Sequence, residues 1–226
     1  YAVPPVPVLT LTLDQILMAV TVAITNPMPD TGEVPAVSND VYRAVDGGPA
    51  ELIATGVPLN TSVTDHAPTV SGTNTYTVTA ISALPSTVTS APAVQVTAGN
   101  GVWLSGGAGF SQVCVAVANP EEGIDPGPAE QVIHRFEGAD GTPRTVLFES
   151  PDDALELTLD ADVDREDVSL GLASSVQEWE ALTRTRGPKL WRDPLRRVLV
   201  AASVSLSRPA GGQMAHVSVK ASRIDA

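Results

Sequence analysis

The segment from residue 39 to residue 83 constrains the fold most, because it alternates short strand patterns with turn signals. Apolar and polar residues alternate within it, which is typical of strands that bury one face. Asp46, Gly47 and Gly48 are residues that tolerate positive φ, so a tight turn between two strands is predicted there. Strands are predicted at 41–45, 51–55, 60–65 and 75–83. The segment therefore predicts a group of short antiparallel strands.

The composition extends this prediction to the whole chain of 226 residues. Val and Thr are abundant, and β-branched residues favour strands. The 19 prolines and 18 glycines interrupt the chain often, which indicates many short elements. Further strands are predicted at 9–13, 16–25, 91–97, 112–118, 132–136, 145–148 and 155–159. We therefore predict a mostly β protein.

Small residues at 98–101 predict a flexible linker between two domains. A chain of this length is long enough for two medium domains, each with its own core. We predict a β-sandwich over residues 1–98. Residues 99–226 are predicted to form a second, β-rich domain with a minor α component.

One helix is predicted at about 175–186. Ser175 and Glu178 fit a capping box, in which their side chains satisfy free backbone donors at the helix start. Val176, Trp179 and Leu182 then fall on roughly one face of the helix. Gly187 and Pro188 end it, since neither residue continues a helix well.

After the helix, Asp193-Pro194 predicts a turn between two strands. The strand that follows is long, and a second turn at 209–212 predicts a hairpin. The residues predicted to face the core on its two strands are Val198, Val200, Ala202, Val204 and Leu206, and then Ala215, Val217, Val219 and Ala221.

Charge is distributed unevenly along the chain, whose formal net charge is −13. Residues 121–180 contain 17 acidic and 3 basic residues, whereas residues 181–226 contain 2 acidic and 9 basic residues. Nucleic-acid binding is not expected at this net charge, because phosphates would be repelled. The asymmetry predicts contact between an acidic face of one copy and a basic face of another; a solvated surface is the alternative.

No pattern of a known catalytic or metal site is present. The three histidines and Cys114 lack metal-ligand spacing, and Cys114 lies among valines, which predicts a buried thiol. Gly106 to Gly109 lack the Lys-Ser/Thr of a phosphate loop, and there is no Gly-x-Ser-x-Gly elbow. No apolar run approaches the ~20 residues that cross a bilayer. We predict no enzymatic activity, no cofactor and no membrane insertion.

Asp160, Asp162 and Asp164 resemble the start of a calcium loop. An EF-hand is excluded, because the sixth position is Arg165 instead of glycine and the twelfth is Gly171 instead of glutamate. A solvated acidic loop is predicted there, with a looser calcium loop as the alternative.

The arrangement of strands over residues 1–98 resembles a fibronectin type III module, and this resemblance implies that Tyr42 and Tyr76 are core residues. The segment VYRAVDGGPAELIATGV, followed by LNTSVTD and NTYTVTAIS, is similar in sequence to modules in minor tail proteins of long-tailed bacteriophages. The helix, the Leu-Trp-Arg-Asp-Pro segment and the long hairpin resemble the closing segment of distal-tail proteins. The Trp that fibronectin type III modules usually carry on their second strand is missing.

The resemblance implies a structural protein of the virion tail tip, assembled in the host cytoplasm. Its implied partners are other tail proteins and further copies of itself, in a hexameric ring or a trimer. Contact with the host cell surface is a further expectation. The alternative is a secreted bacterial cell-surface module that binds a ligand or acts as a spacer.

Assembly contacts are predicted between the basic segment 184–208 of one copy and the acidic segment 121–167 of its neighbour. The residues proposed for these contacts are Arg184, Arg186, Arg192, Arg196, Arg197 and Arg208, with Asp160, Asp162 and Asp164 opposite them.

Overall fold

The structure is a computed structural model, and it describes residues 2–84, 86–116, 131–137, 143–149, 156–164, 174–207 and 214–224. Of residues 131–137, 143–149, 156, 162–164 and 214 it describes the backbone alone. The described chain is mostly β, as predicted, with antiparallel sheets and one α-helix.

The first ninety-eight residues form two antiparallel sheets. Their strands are β1 (Val8–Asp14), β2 (Ala19–Thr25), β3 (Ala36–Val45), β4 (Ala50–Val57), β5 (Ser62–Asp65), β6 (Ser71–Ser82), β7 (Thr87–Thr89) and β8 (Ala93–Ala98). One sheet has the order β1-β2-β5. The other has the order β4-β3-β6-β7, and β8 also pairs with β6.

The two sheets pack face to face around one apolar cluster. Val20, Val22 and Ile24 of β2 meet Val41 of β3 and residues of β6. On β6 the buried positions alternate with half-buried ones, so Tyr76 faces inwards as predicted, together with Val78, Ala80 and Ser82. The strand period of two thus decides which face is buried.

The second half of the chain is built on one antiparallel sheet of six strands. The strands of this half are β9 (Val102–Gly106), β10 (Gln112–Ala116), β11 (Gln131–Glu137), β12 (Pro143–Glu149), β13 (Glu156–Asp164), β14 (Lys189–Asp193), β15 (Arg196–Ser207) and β16 (Met214–Arg223). The large sheet has the order β10-β9-β14-β15-β16-β13, while β11 and β12 form a separate hairpin. The predicted hairpin of β15 and β16 is confirmed.

Helix α1 (Val176–Arg184) covers one face of this sheet. Its capping box is formed as predicted: the Ser175 hydroxyl accepts from the Glu178 amide, and the Glu178 carboxylate accepts from the Ser175 amide. Val176, Trp179 and Leu182 are buried against the sheet. They are three residues apart in a helix of 3.6 residues per turn, so they lie on roughly one face, and this face packs on the core.

Strand β9 is buried along its whole length, because its two faces contact different clusters. Val102 and Leu104 belong to the core under α1, whereas Trp103 belongs to a third cluster with Met18, Val70, Val113 and Val115. This third cluster joins residues from both halves of the chain. Strands buried on both faces lose the polar alternation, which explains why the sequence pattern of β9 was weak.

The segment 98–101 is closely packed, and the prediction of a flexible linker is wrong. The Gly99 amide donates to the Val70 carbonyl oxygen (2.6 Å). A Cβ on Gly99 would lie 2.6 Å from Cη2 of Trp103, and one on Gly101 would lie 2.9 Å from the Ala116 carbonyl oxygen. Glycine is needed here for close approach of chain segments.

Two further predictions are wrong. Tyr42 is half-buried and lies on the face of β3 opposite to Val41 and Arg43. Arg43 therefore faces the core, where Tyr42 was predicted. The segment Asp160–Asp164 is part of strand β13 and pairs with β16, so it is not a loop. No helix among the described residues is long and apolar enough to cross a membrane.

Candidate functional site

A buried group of charged side chains lies where the two halves of the chain meet. At its centre, Arg43 Nη1 donates to both carboxylate oxygens of Asp65, at 2.8 and 2.6 Å. Arg43 is 1% exposed and Asp65 6%. An ion pair this deeply buried needs further hydrogen bonds to offset its desolvation.

Asp65 receives those further bonds from both sides. The Tyr76 hydroxyl donates to Oδ2 (2.8 Å) and the Ala67 amide donates to Oδ1 (2.9 Å). Burial, together with the adjacent charge of Asp65, raises the pKa of Tyr76 above its usual range, so the phenol stays a neutral donor. Asp65 is thereby held as a fully bonded carboxylate.

The network continues to the surface through Glu51. Arg43 Nη2 and Arg197 Nη2 both donate to Oε2 of Glu51, at 2.7 and 3.3 Å. Burial raises the pKa of Glu51, but the hydrogen bond from Arg43 and the charge of Arg197 lower it by more, so the net shift is downward. Glu51 is half exposed, and its interaction energy is therefore screened by solvent.

Arg192 fastens the second half of the chain to two loops of the first. Its Nη1 donates to the Met18 carbonyl oxygen (2.7 Å) and, at 3.4 Å, to that of Pro68. Its Nη2 lies 3.3 Å from both the Leu17 carbonyl oxygen and Oγ of Ser105. The side chain is fully buried.

Burial lowers the pKa of Arg192 to about 9, an effect that the charge of Asp65 opposes. The guanidinium therefore remains charged at neutral pH. Among the described residues no carboxylate forms an ion pair with it, so its charge is held by carbonyl oxygens and by the field of Asp65.

Two other bonds reinforce this junction. Arg197 Nε donates to the Ala67 carbonyl oxygen (2.7 Å), and Trp103 Nε1 donates to that of Ile16 (2.9 Å). Arg192 and Arg197 are directly paired residues of β14 and β15, so the turn between these strands presents both. Asp193 holds that turn, because its carboxylate accepts from the Leu195 amide and from Nε1 of Trp191.

The structure separates the arginines predicted to bind a neighbouring copy. Arg184 and Arg186 are exposed at the end of α1. Arg196 and Arg197 are half-buried, and Arg192 has no surface for a neighbour because it is buried within its own chain. Arg208 lies outside the described residues.

The three predicted acidic residues occupy alternate positions of β13, paired with Ser218, His216 and Met214 of β16. Asp160 is exposed, and its Oδ1 lies 3.6 Å from Nε2 of His216. Alternate residues of a strand are about 7 Å apart along the backbone, a spacing unlike that of a calcium-binding loop. The described part of the chain contains no group of three His, Cys, Asp or Glu side chains that could hold a metal ion.

Cys114 is buried in the core beneath α1, as predicted. Burial raises the pKa of its thiol to about 12, with a contribution from the charge of Glu178. The thiolate that a nucleophile or metal ligand needs is therefore suppressed.

The sequence analysis missed the Arg43–Asp65 pair. Its only sequence signal was a charged residue at an inward position of an otherwise apolar alternation on β3. Comparisons with protein-family models, with curated proteins and with solved structures found no match to this chain.

Proposed function

We propose that this chain is a non-enzymatic structural component of the tail tip of a long-tailed bacteriophage, which assembles head-to-tail into a closed oligomer. The observation that supports this most is the position of charge on the six-stranded sheet. Strand β13, with Asp160, Asp162 and Asp164, is at one edge of that sheet. The exposed Arg184 and Arg186 belong to the opposite side.

The basic side is located by the contacts of α1. This helix contacts both the inner strand β15 and β10, the other edge strand, and Thr185 after its last residue contacts the side chain of Gln112 on β10. Six strands at the usual spacing separate the two edges by about 24 Å. Opposite charges on opposite edges favour a heterologous contact between copies, and such a contact closes into a ring when its rotation allows.

The first half of the chain also supports this proposal, in which it is a fibronectin type III module. Its two sheets have the orders β1-β2-β5 and β4-β3-β6-β7, with β8 also paired with β6, and this order supports the proposal of a sandwich of that type. In this proposal the module is held beside the assembly domain and faces outward for contact with the host surface. The partners are other tail proteins and, in a hexamer or a trimer, further copies of this chain.

The test is the oligomeric state of the full chain by native mass spectrometry, alone and with purified tail proteins, at low and high salt. The double change Arg184→Gln with Arg186→Gln is expected to weaken assembly at least tenfold. High salt is expected to do the same, because exposed charge pairs are screened. A chain carrying Asp160→Arg and Asp162→Arg retains its basic side, so it is expected to bind one unaltered copy but to prevent closure of the oligomer.

A matched control is Thr10→Glu with Thr12→Glu, which changes net charge by the same amount at exposed positions of β1. The control is expected to assemble normally. A chain that stays monomeric with tail partners present contradicts the proposal, and binding of that monomer to a polysaccharide would favour the cell-surface alternative.

A further inference from the structure

A cavity of about 280 Å³ opens beside the buried ion pairs, between strands β4 and β5 and the turn at 107–110. Its apolar walls are Leu52, Ile53, Val63 and Phe110, and its polar side is formed by Arg43, Asp65, Glu51 and Arg197. Ligand sites in proteins commonly combine apolar walls with a few convergent polar groups, often where two parts of a fold meet. The size suits a small organic molecule.

Phe110 is held in a strained backbone conformation at this cavity. Its φ is +57°, in the left-handed region that a bulky aromatic residue rarely adopts. Gly107 and Gly109 of the same turn also have positive φ, which glycine adopts without steric strain. The side chain of Phe110 makes the same conformation unfavourable. Strain of this kind concentrates at ligand-binding positions, so the aromatic wall calls for a functional explanation.

The charged residues that line the cavity balance, since Arg43 and Arg197 lie with Asp65 and Glu51, and the buried Arg192 outside the lining adds one positive charge to the group. Arg43, Arg192 and Arg197 lie close enough to repel one another, and Asp65 and Glu51 are the two carboxylates among them. All three arginines are charged at neutral pH, so the group has one unbalanced positive charge in a chain of net charge −13.

One hydrogen-bond donor remains available at the cavity. Arg197 is 25% exposed, and its Nη1 makes no hydrogen bond to the described part of the chain. A free guanidinium donor beside one additional positive charge favours an acceptor that is negatively charged.

We propose that this cavity binds a small organic carboxylate, whose charged end contacts Arg197 and whose apolar body lies against Phe110, Leu52 and Val63. The proposal does not depend on assembly of the chain. An apolar molecule without charge would leave Nη1 of Arg197 without an acceptor, and an inorganic anion would leave the apolar walls uncovered.

The test is a titration of the full chain, labelled with nitrogen-15, with sodium hexanoate and with the uncharged hexanamide. We expect saturable shifts of amide signals around the cavity with hexanoate, and at least tenfold weaker binding of hexanamide. Arg197→Met is expected to weaken hexanoate binding at least tenfold. Lys220→Met, which removes an exposed cation elsewhere, is expected to leave hexanoate binding unchanged.

Phe110→Gly provides a second variant, because glycine adopts the observed φ without strain. It is expected to stay folded and to weaken hexanoate binding at least fivefold. Equal binding of hexanoate and hexanamide, absence of saturable shifts at the cavity, or unaltered binding in a folded Arg197→Met protein would each overturn the proposal. If Arg197→Met does not fold, the comparison of the two ligands on the unaltered chain decides.

Discussion

Asp65 is the residue on which the buried charges of this protein depend. It accepts hydrogen bonds from Arg43, Tyr76 and the Ala67 amide inside the fold. Asp65→Asn would leave the Arg43 cation buried without its main counter-charge. We expect the free energy of unfolding to fall by about 3–5 kcal/mol, measured by urea denaturation.

Asp40→Asn is the matched control for this change. Asp40 is a half-buried carboxylate that accepts from the Thr55 hydroxyl and the Gly56 amide, and it pairs with no arginine in the described chain. Its replacement is expected to cost about 1 kcal/mol. Equal losses of unfolding free energy for Asp65→Asn and Asp40→Asn would show that the buried ion pair contributes no more to stability than the hydrogen bonds of Asp40.

Cys114 gives a second prediction for a single residue. Because burial raises the pKa of its thiol to about 12, its contribution to stability is present below the unfolded pKa and is lost as pH rises towards 12. Alkylation by iodoacetamide at pH 8 is expected to be about a hundredfold or more slower in the native chain than in urea. Similar rates would contradict burial of this thiol.

At the scale of elements, α1 depends on its capping box because the helix has only nine residues. Ser175→Ala removes the acceptor for the Glu178 amide and is expected to cost about 1 kcal/mol of unfolding free energy. Gln177→Ala, at an exposed position of the same helix, serves as control and is expected to change stability little. Denaturation followed by Trp fluorescence would measure both, and equal effects would contradict the role of the cap.

Elements with a clear local signal were predictable from the sequence. The box at Ser175, the turn at Asp193 and the alternation of β15 and β16 each depend on neighbours in the chain, and each is present. Strand β7 was missed, since its three residues carry no period. The first part of β13 was predicted as a strand at 155–159, but residues 160–164 were taken for a loop because their aspartates resembled an acidic loop.

The junction was not predictable, because it depends on contacts between residues distant in the chain. Arg192 meets Met18 across more than 170 positions, and no local pattern distinguishes such an arginine from an exposed one. Tyr42 and Arg43 show the same limit. Arg43 follows the buried Asn39 and Val41 at strand spacing and faces inwards, where Asp65, distant in the chain, pairs with it.

At the scale of the whole molecule, Gly99 is expected to control how the two halves are joined. Gly99→Ala would place a methyl group 2.6 Å from Cη2 of Trp103 and 2.9 Å from Cε of Met18. Overpacking of this kind is expected to cost about 1–3 kcal/mol of unfolding free energy. Asn100→Ala, at the exposed neighbouring position, is the control, and calorimetry would measure both. An unaltered melting temperature for Gly99→Ala would contradict close packing at this segment.

The grip of Arg192 on the carbonyl oxygens of Leu17 and Met18 also has a mechanical consequence. A load applied to the N-terminal sandwich would reach the six-stranded sheet through these bonds, through Arg197 and through Trp103, as well as along the covalent chain. These hydrogen bonds must break together before the sandwich can rotate relative to the six-stranded sheet. We therefore expect the junction to transmit a pull or a torque from one half of the chain to the other.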